Sequence, residues 1–158
     1  MRNGSWISSW GLALVLCLAA GACGPSKVEQ DAADRERIQA LLEEYLPELG
    51  RAYAERNANL IAPWVAPKEV ARVNQRIEEL YAMGSILEPQ YHRVTVEELQ
   101  VWNNSNSFVT TVETWDVRRY ASGSMEPIGE DLGQTQRVRY QMKREGDAWK
   151  VLYRTIEE

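Results

Sequence analysis

The sequence predicts an α+β domain in which N-terminal helices pack on a curved four-stranded antiparallel sheet (cone-like). Two observations carry the prediction. Apolar residues recur at three and four spacing until about Gly84, and from Tyr91 onward the period changes to two, with β-branched and aromatic residues dominant. Turn-rich stretches then divide the second half into four strands, and helices followed by such a meander cover one face of the sheet.

In chain order, Ile38, Leu41, Leu42, Tyr45, Leu46 and Leu49 define the apolar stripe of a first amphipathic helix. Pro47 lies inside it without a backbone donor, so a kink there or a restart near Leu46 is expected. Tyr53 and Leu60 continue the apolar side. A short second helix runs through Leu60, Ile61 and Trp64 and ends in the Pro63 to Pro67 stretch. A third starts at Pro67, a residue suited to a helix's first turn, and carries Val70, Val73, Ile77, Leu80 and Tyr81 to a stop at Gly84.

The expected strands are Arg93 to Trp102, Phe108 to Tyr120, Thr135 to Arg144 and Ala148 to Ile156. Asn103-Asn104-Ser105-Asn106 turns the first hairpin, and Ala121 to Gln134, with Gly123, Pro127, Gly129 and Gly133, reads as a loop. A two-residue turn at Gly146-Asp147 sets Met142 against Val151, Tyr140 against Tyr153 and Val138 against Thr155, with those side chains on one face. The same register sets Arg139 opposite Arg154 and Lys143 opposite Lys150.

The chain opens with Arg2, an apolar run from Gly11 to Ala20, and then Gly21-Ala22-Cys23-Gly24. Charged, apolar and small residues in that order make a secretory signal. The apolar core is about ten residues, roughly half of what a bilayer-spanning helix requires. The small residues before Cys23 resemble a bacterial lipobox, although Ala20 stands where leucine is usual; Cys17 follows Leu16 and fits less well. The resemblance implies cleavage before Cys23 and lipidation of that cysteine, hence residues 1–22 as signal peptide. Once Cys17 leaves with the signal, Cys23 has no partner for a disulfide, in agreement with a lipid-bearing role. More than one acyl chain gives stable anchoring. Gly24, in place of the aspartate that retains enterobacterial lipoproteins at the inner membrane, favours the outer membrane in a host that has both, with the domain in the periplasm or on the cell surface. Small polar residues from 23 to 34 read as the lipidated terminus and a flexible tether, and 35–158 as the folded domain.

Of 158 residues, 18 are Lys or Arg and 23 Asp or Glu, a net charge of −5 that argues against a nucleic-acid partner. One histidine and two cysteines cannot assemble an ordinary transition-metal site, and no phosphate-cradling glycine loop or nucleophile elbow is present, so no cofactor or metal is expected.

The segment from Tyr140 to Leu152, in which Gly146 is followed by Trp149-Lys150-Val151, resembles the terminal hairpin of the nuclear transport factor 2-like superfamily. Val112-Glu113-Thr114-Trp115-Asp116-Val117 is similar to the long strand of one subgroup, the intermembrane-space domain of plastid-division proteins and its bacterial relatives. The resemblance implies a cone-like domain with a cavity between sheet and helices, for which Trp64, Tyr81, Trp115, Tyr140 and Tyr153 are the candidate lining residues. It also implies two functions. One is a noncatalytic module that binds an envelope protein partner or an apolar small ligand. The alternative is a cone-type isomerase or dehydratase, whose chemistry requires a buried carboxylate or imidazole beside a tyrosine. His92 is the weak catalytic candidate, while strand alternation points Glu113 and Asp116 to opposite faces.

Overall fold

The computed structural model describes residues 26–157, so Cys23 and the signal segment lie outside the described residues. Helix α1 spans Lys27–Ala54. Ser26 caps it: the Ser26 hydroxyl accepts from Glu29 N at 3.3 Å, and the Glu29 carboxylate accepts from Ser26 N at 2.7 Å. This reciprocal box satisfies two donors that a helix start leaves free. Residues 27–34, expected in the tether, therefore belong to the helix and to the domain. Their polar composition concealed a Ser-x-x-Glu start signal. Nor does Pro47 divide the helix. It removes one intrahelical bond, while Tyr45, Leu46 and Leu49 around it are buried against the sheet.

A 3₁₀ turn at Ala58–Ile61 replaces the expected short second helix, with the Asn57 side chain accepting from Asn59 N at 3.2 Å. Helix α2 covers Pro67–Ala82, and Gly84 follows at φ +79°, a conformation glycine takes without strain.

Strands β1 (Ser85–Trp102), β2 (Asn106–Ala121), β3 (Pro127–Glu145) and β4 (Ala148–Glu157) form one antiparallel sheet in the order β1-β2-β3-β4. The meander agrees with the prediction, but β1 and β3 each start eight residues earlier than expected. β1 takes in Pro89, tolerated because β1 is an edge strand. More than half of the expected Ala121 to Gln134 loop is strand. Gly133, at φ +63°, sits in a bulge between the pairs Trp115↔Gln134 and Val117↔Asp131, so a residue that reads as a loop signal instead bends a strand.

The terminal hairpin keeps the expected Met142↔Val151 and Lys143↔Lys150 pairs, and Gly146 at φ +63° opens the turn. Beyond Val151 the expected register fails. Leu152 is an extra residue in β4, so Tyr140 faces Arg154 and Val138 faces Ile156, in place of Tyr153 and Thr155. The bulge sets Arg139 opposite Thr155, removing the expected arginine clash, and turns Arg154 toward the interior.

The core lies between α1, α2 and the sheet, with Ile38, Leu42, Leu46, Ile77, Val109, Val138, Met142 and Val151 all buried. Burial of each such side chain contributes roughly 1.5–3 kcal/mol. Among the described residues, no helix is long and apolar enough to cross a membrane.

Candidate functional site

Thr111, Glu113 and Trp115 alternate along β2 onto the inward face, which brings a carboxylate into the middle of the cone. Glu113 is 0% exposed. Its Oε1 accepts from the Tyr140 hydroxyl and from Thr111 Oγ1 at 3.3 Å; its Oε2 accepts from Trp115 Nε1 at 2.9 Å and Arg154 Nη2 at 2.7 Å. Arg154 Nε also donates to the Tyr140 oxygen at 3.2 Å. The Gln136 amide is satisfied when its oxygen faces Arg154 Nη2, at 2.8 Å, and Trp115 Nε1, at 3.3 Å.

Electrostatics follow from this enclosure. Burial, then the Glu113 charge, pushes the Tyr140 phenol well above its ordinary value. Burial likewise raises Tyr45, whose hydroxyl is buried without a partner among the described residues. For Arg154, burial acts downward, but Tyr140 and Glu113 more than offset it and the net shift is upward. Arg154 is therefore a fixed cation and Tyr140 a fixed donor. With four donors on two oxygens, Glu113 has no lone pair left for a substrate proton.

Two further carboxylates are buried beside arginines. Asp34 pairs with Arg144 and accepts from Trp149 Nε1 at 3.4 Å, which fastens the start of α1 to the end of the β3–β4 hairpin. That pairing is incomplete: Asp34 Oδ2 and Arg144 Nε are buried without partners among the described residues. Glu69 takes Arg72 in a fork, at 2.6 and 2.8 Å, and Arg72 also donates to Arg154 O at 2.8 Å, joining α2 to β4.

The five candidate lining residues do not converge. Trp115 and Tyr140 meet at Glu113. Trp64 is half-buried and donates to Glu44 at 3.1 Å; Tyr81 lies under Arg56, 3.5 Å from ring centre to guanidinium; Tyr153 is 43% exposed beside Arg72. His92, an extra residue in a β1 bulge, donates from Nε2 to Asp116 Oδ2 at 2.9 Å, and its side chain is 40% exposed. Asp116 faces away from Glu113, as alternation predicts. Its carboxyl is held below the usual range by the Gly133 N–H, at 2.6 Å, and then by His92. His92 is thus an exposed imidazole bonded to Asp116, not the buried imidazole beside a tyrosine that the catalytic reading requires.

The cone interior is filled by Tyr45, Trp115, Tyr140 and Met142. A groove of about 450 Å³ opens between α2 and β4, lined by Tyr53, Arg72, Arg76, Tyr153, Arg154 and Ile156 among others. Among the described residues, no group of three His, Cys, Asp or Glu side chains is placed to hold a metal ion. Sequence reading missed Arg154, Asp34 and Glu69. The first was hidden by the bulge and the second by the assignment to a tether; Glu69 carries no signal beyond its i,i+3 spacing from Arg72.

No protein-family model and no curated protein matches the chain. Solved structures do. The intermembrane-space region of the chloroplast protein ARC6 is similar with a TM-score of 0.66 at 11% identity, covering 78% of this chain and 95% of that one. A periplasmic fragment of TraM gives 0.54 at 9% identity, covering 78% and 96%. An NTF2-like family protein of Streptomyces avermitilis, proposed to be a dehydratase, gives 0.50 at 13% identity, covering 79% and 96%. These likenesses establish the fold as nuclear transport factor 2-like.

Proposed function

We propose that the chain is an envelope lipoprotein, anchored through lipid on Cys23, whose cone-like domain is a noncatalytic binding module. The observation that carries the noncatalytic half is the saturated, inaccessible Glu113: a general base must reach the proton it removes, and this carboxylate is spent on Tyr140, Thr111, Trp115 and Arg154. A filled cone also favours a protein partner over an apolar small ligand, which requires a concave pocket. The α2–β4 groove, where Tyr153 is exposed beside three arginines, is the face offered to that partner. Supporting the compartment, ARC6 contributes an intermembrane-space region and TraM a periplasmic fragment to the similar structures. Gly24 favours the outer membrane.

Mass spectrometry of the membrane-extracted protein tests the anchor. A mature terminus at Cys23 with bound acyl mass is expected, and Cys23→Ala abolishes both; an intact Met1 or an unmodified Cys23 sinks the anchor. A photo-reactive residue at Tyr153 tests the module. A discrete adduct in intact cells, lost on Arg76→Glu, is expected, whereas no adduct from any groove position removes the groove as the binding face.

A further inference from the structure

The free edge of β1 is occupied by side chains of α1. The Gln39 amide donates to Val94 O at 3.0 Å and accepts from Val96 N at 3.3 Å, as a peptide group of a neighbouring strand does. Arg35 takes the next acceptors, Val96 O at 2.6 Å and Glu97 O at 3.4 Å. At the opposite edge of the sheet the chain itself provides cover, since Ala66 N bonds Val151 O at 2.8 Å and Val151 N bonds Trp64 O at 3.0 Å. Thus β4 is masked by backbone and β1 by two side chains that can rotate away. Beside the β1 edge lies a groove of about 380 Å³, lined by Arg35, Gln39, Ala40, Glu43, Thr95 and Val96 among others.

We infer that the edge of β1 from Arg93 to Glu97 is a latent self-association surface for a second copy of this chain, held closed by Arg35 and Gln39. The occupant follows from the edge's own sequence. An antiparallel pair centred on Thr95 sets Thr95 against Thr95 of the second copy, Val94 against Val96 and Arg93 against Glu97. Opposite charges and paired threonines both favour cross-strand contact. The backbone groups such a pair uses, Val94 O, Val96 N and Val96 O, are the ones that Gln39 and Arg35 now hold. Val94 and Val96 are buried on the inward face while Thr95 is exposed, so the pairing extends the sheet without displacing the core. An open edge with this complementarity is an aggregation hazard, and two helix side chains remove it at no cost to the sheet. The inference is independent of what the α2–β4 groove binds.

Cross-linking tests it. Thr95→Cys is introduced into the full membrane-extracted chain, alone and together with Arg35→Ala and Gln39→Ala, and disulfide-linked dimer is measured after mild oxidation against the same chain without Thr95→Cys. Facing residues of a non-hydrogen-bonded antiparallel pair lie within disulfide reach. At least about tenfold more dimer is expected once Arg35 and Gln39 are removed. Arg93→Glu in that background should suppress it, and Arg93→Glu with Glu97→Arg should restore it. No gain on removing Arg35 and Gln39, a gain indifferent to Arg93→Glu, or a cross-link to a different protein overturns the inference. Retention of a cooperative thermal melt confirms that the variants fold. If the double removal does not melt cooperatively, Gln39→Ala alone, which leaves the Arg35 bonds, is read by the same charge swap.

Discussion

Strand β3 passes through two environments. From Arg137 to Glu145 it has β4 on one side and helices across its inner face, and Val138, Tyr140 and Met142 are 0% exposed. From Pro127 to Gln136 it pairs with β2 only, and all ten residues are exposed or half-exposed, including Ile128 and Leu132 at 57% and 53%. The hydrogen-bonded ladder continues through both. What changes is cover, and with it the placement of charge: Asp34, Glu69 and Glu113 all lie under the covered part, each tied to an arginine. Folding energy in this protein should therefore be concentrated in the four-stranded half, with the three-stranded half held by backbone pairing and exposed ion pairs such as Arg119–Asp131.

The strongest challenge to that contrast is Arg154→Met. It strands a buried Glu113, and urea unfolding should register a loss of about 3–5 kcal/mol. Adding Glu113→Leu to the same chain should recover much of it, because the remaining carboxylate is what makes the single change costly. A loss below about 1 kcal/mol would put the network among surface pairs and dissolve the comparison. Asp34→Ala should cost less, about 2–3 kcal/mol in the same assay, since its pairing with Arg144 already leaves one atom of each residue unpartnered.

Gly50→Ala sharpens the boundary between the halves. A Cβ there would lie 2.5 Å from Pro89 O, so α1 and β1 must separate, at about 1–3 kcal/mol. By contrast, Ile128→Lys and Leu132→Lys should each stay within about 0.5 kcal/mol of the parent.

The smallest effect concerns acid. Asp116 has a folded value below its ordinary one, so its contribution is complete above the ordinary aspartate range and disappears as pH falls through the depressed value. Asp116→Asn should flatten that acid limb of the stability profile and leave neutral pH nearly unchanged. A profile of unaltered shape would mean that the Gly133 and His92 contacts are not maintained in solution.

The covered half was largely legible in the sequence, because amphipathic period and strand alternation are consequences of burial. Ile38 to Leu49, Val73 to Leu80 and the Met142↔Val151 pair all report it. The exposed half was not legible for the same reason: without an apolar face to alternate, Pro127 to Gln134 offers only its glycines, and those mark bulges as readily as loops. The central carboxylate was half visible. Trp115 and Tyr140 could be placed with Glu113 on one inward face from parity, whereas Arg154 could not, since one extra residue at Leu152 reverses its direction. Trp64, Tyr81 and Tyr153 were chosen for their aromatic character, a property that fills surfaces and cores alike.

Helix α1, capped at Ser26, also decides how the domain stands. Its 28 residues make a rod about 42 Å long. One end is fastened by Asp34 to Arg144 and Trp149, beside the Gly146 turn, and the other leans by Gly50 on Pro89, toward the β2–β3 hairpin. With lipid on Cys23, four residues before Lys27, the intervening chain spans at most roughly 14 Å. Under the proposed anchor the protein would be a post set in the bilayer by its foot, not a float on a long line. The Gly146 turn would then sit near the headgroups, with the Ile128 hairpin at the far end.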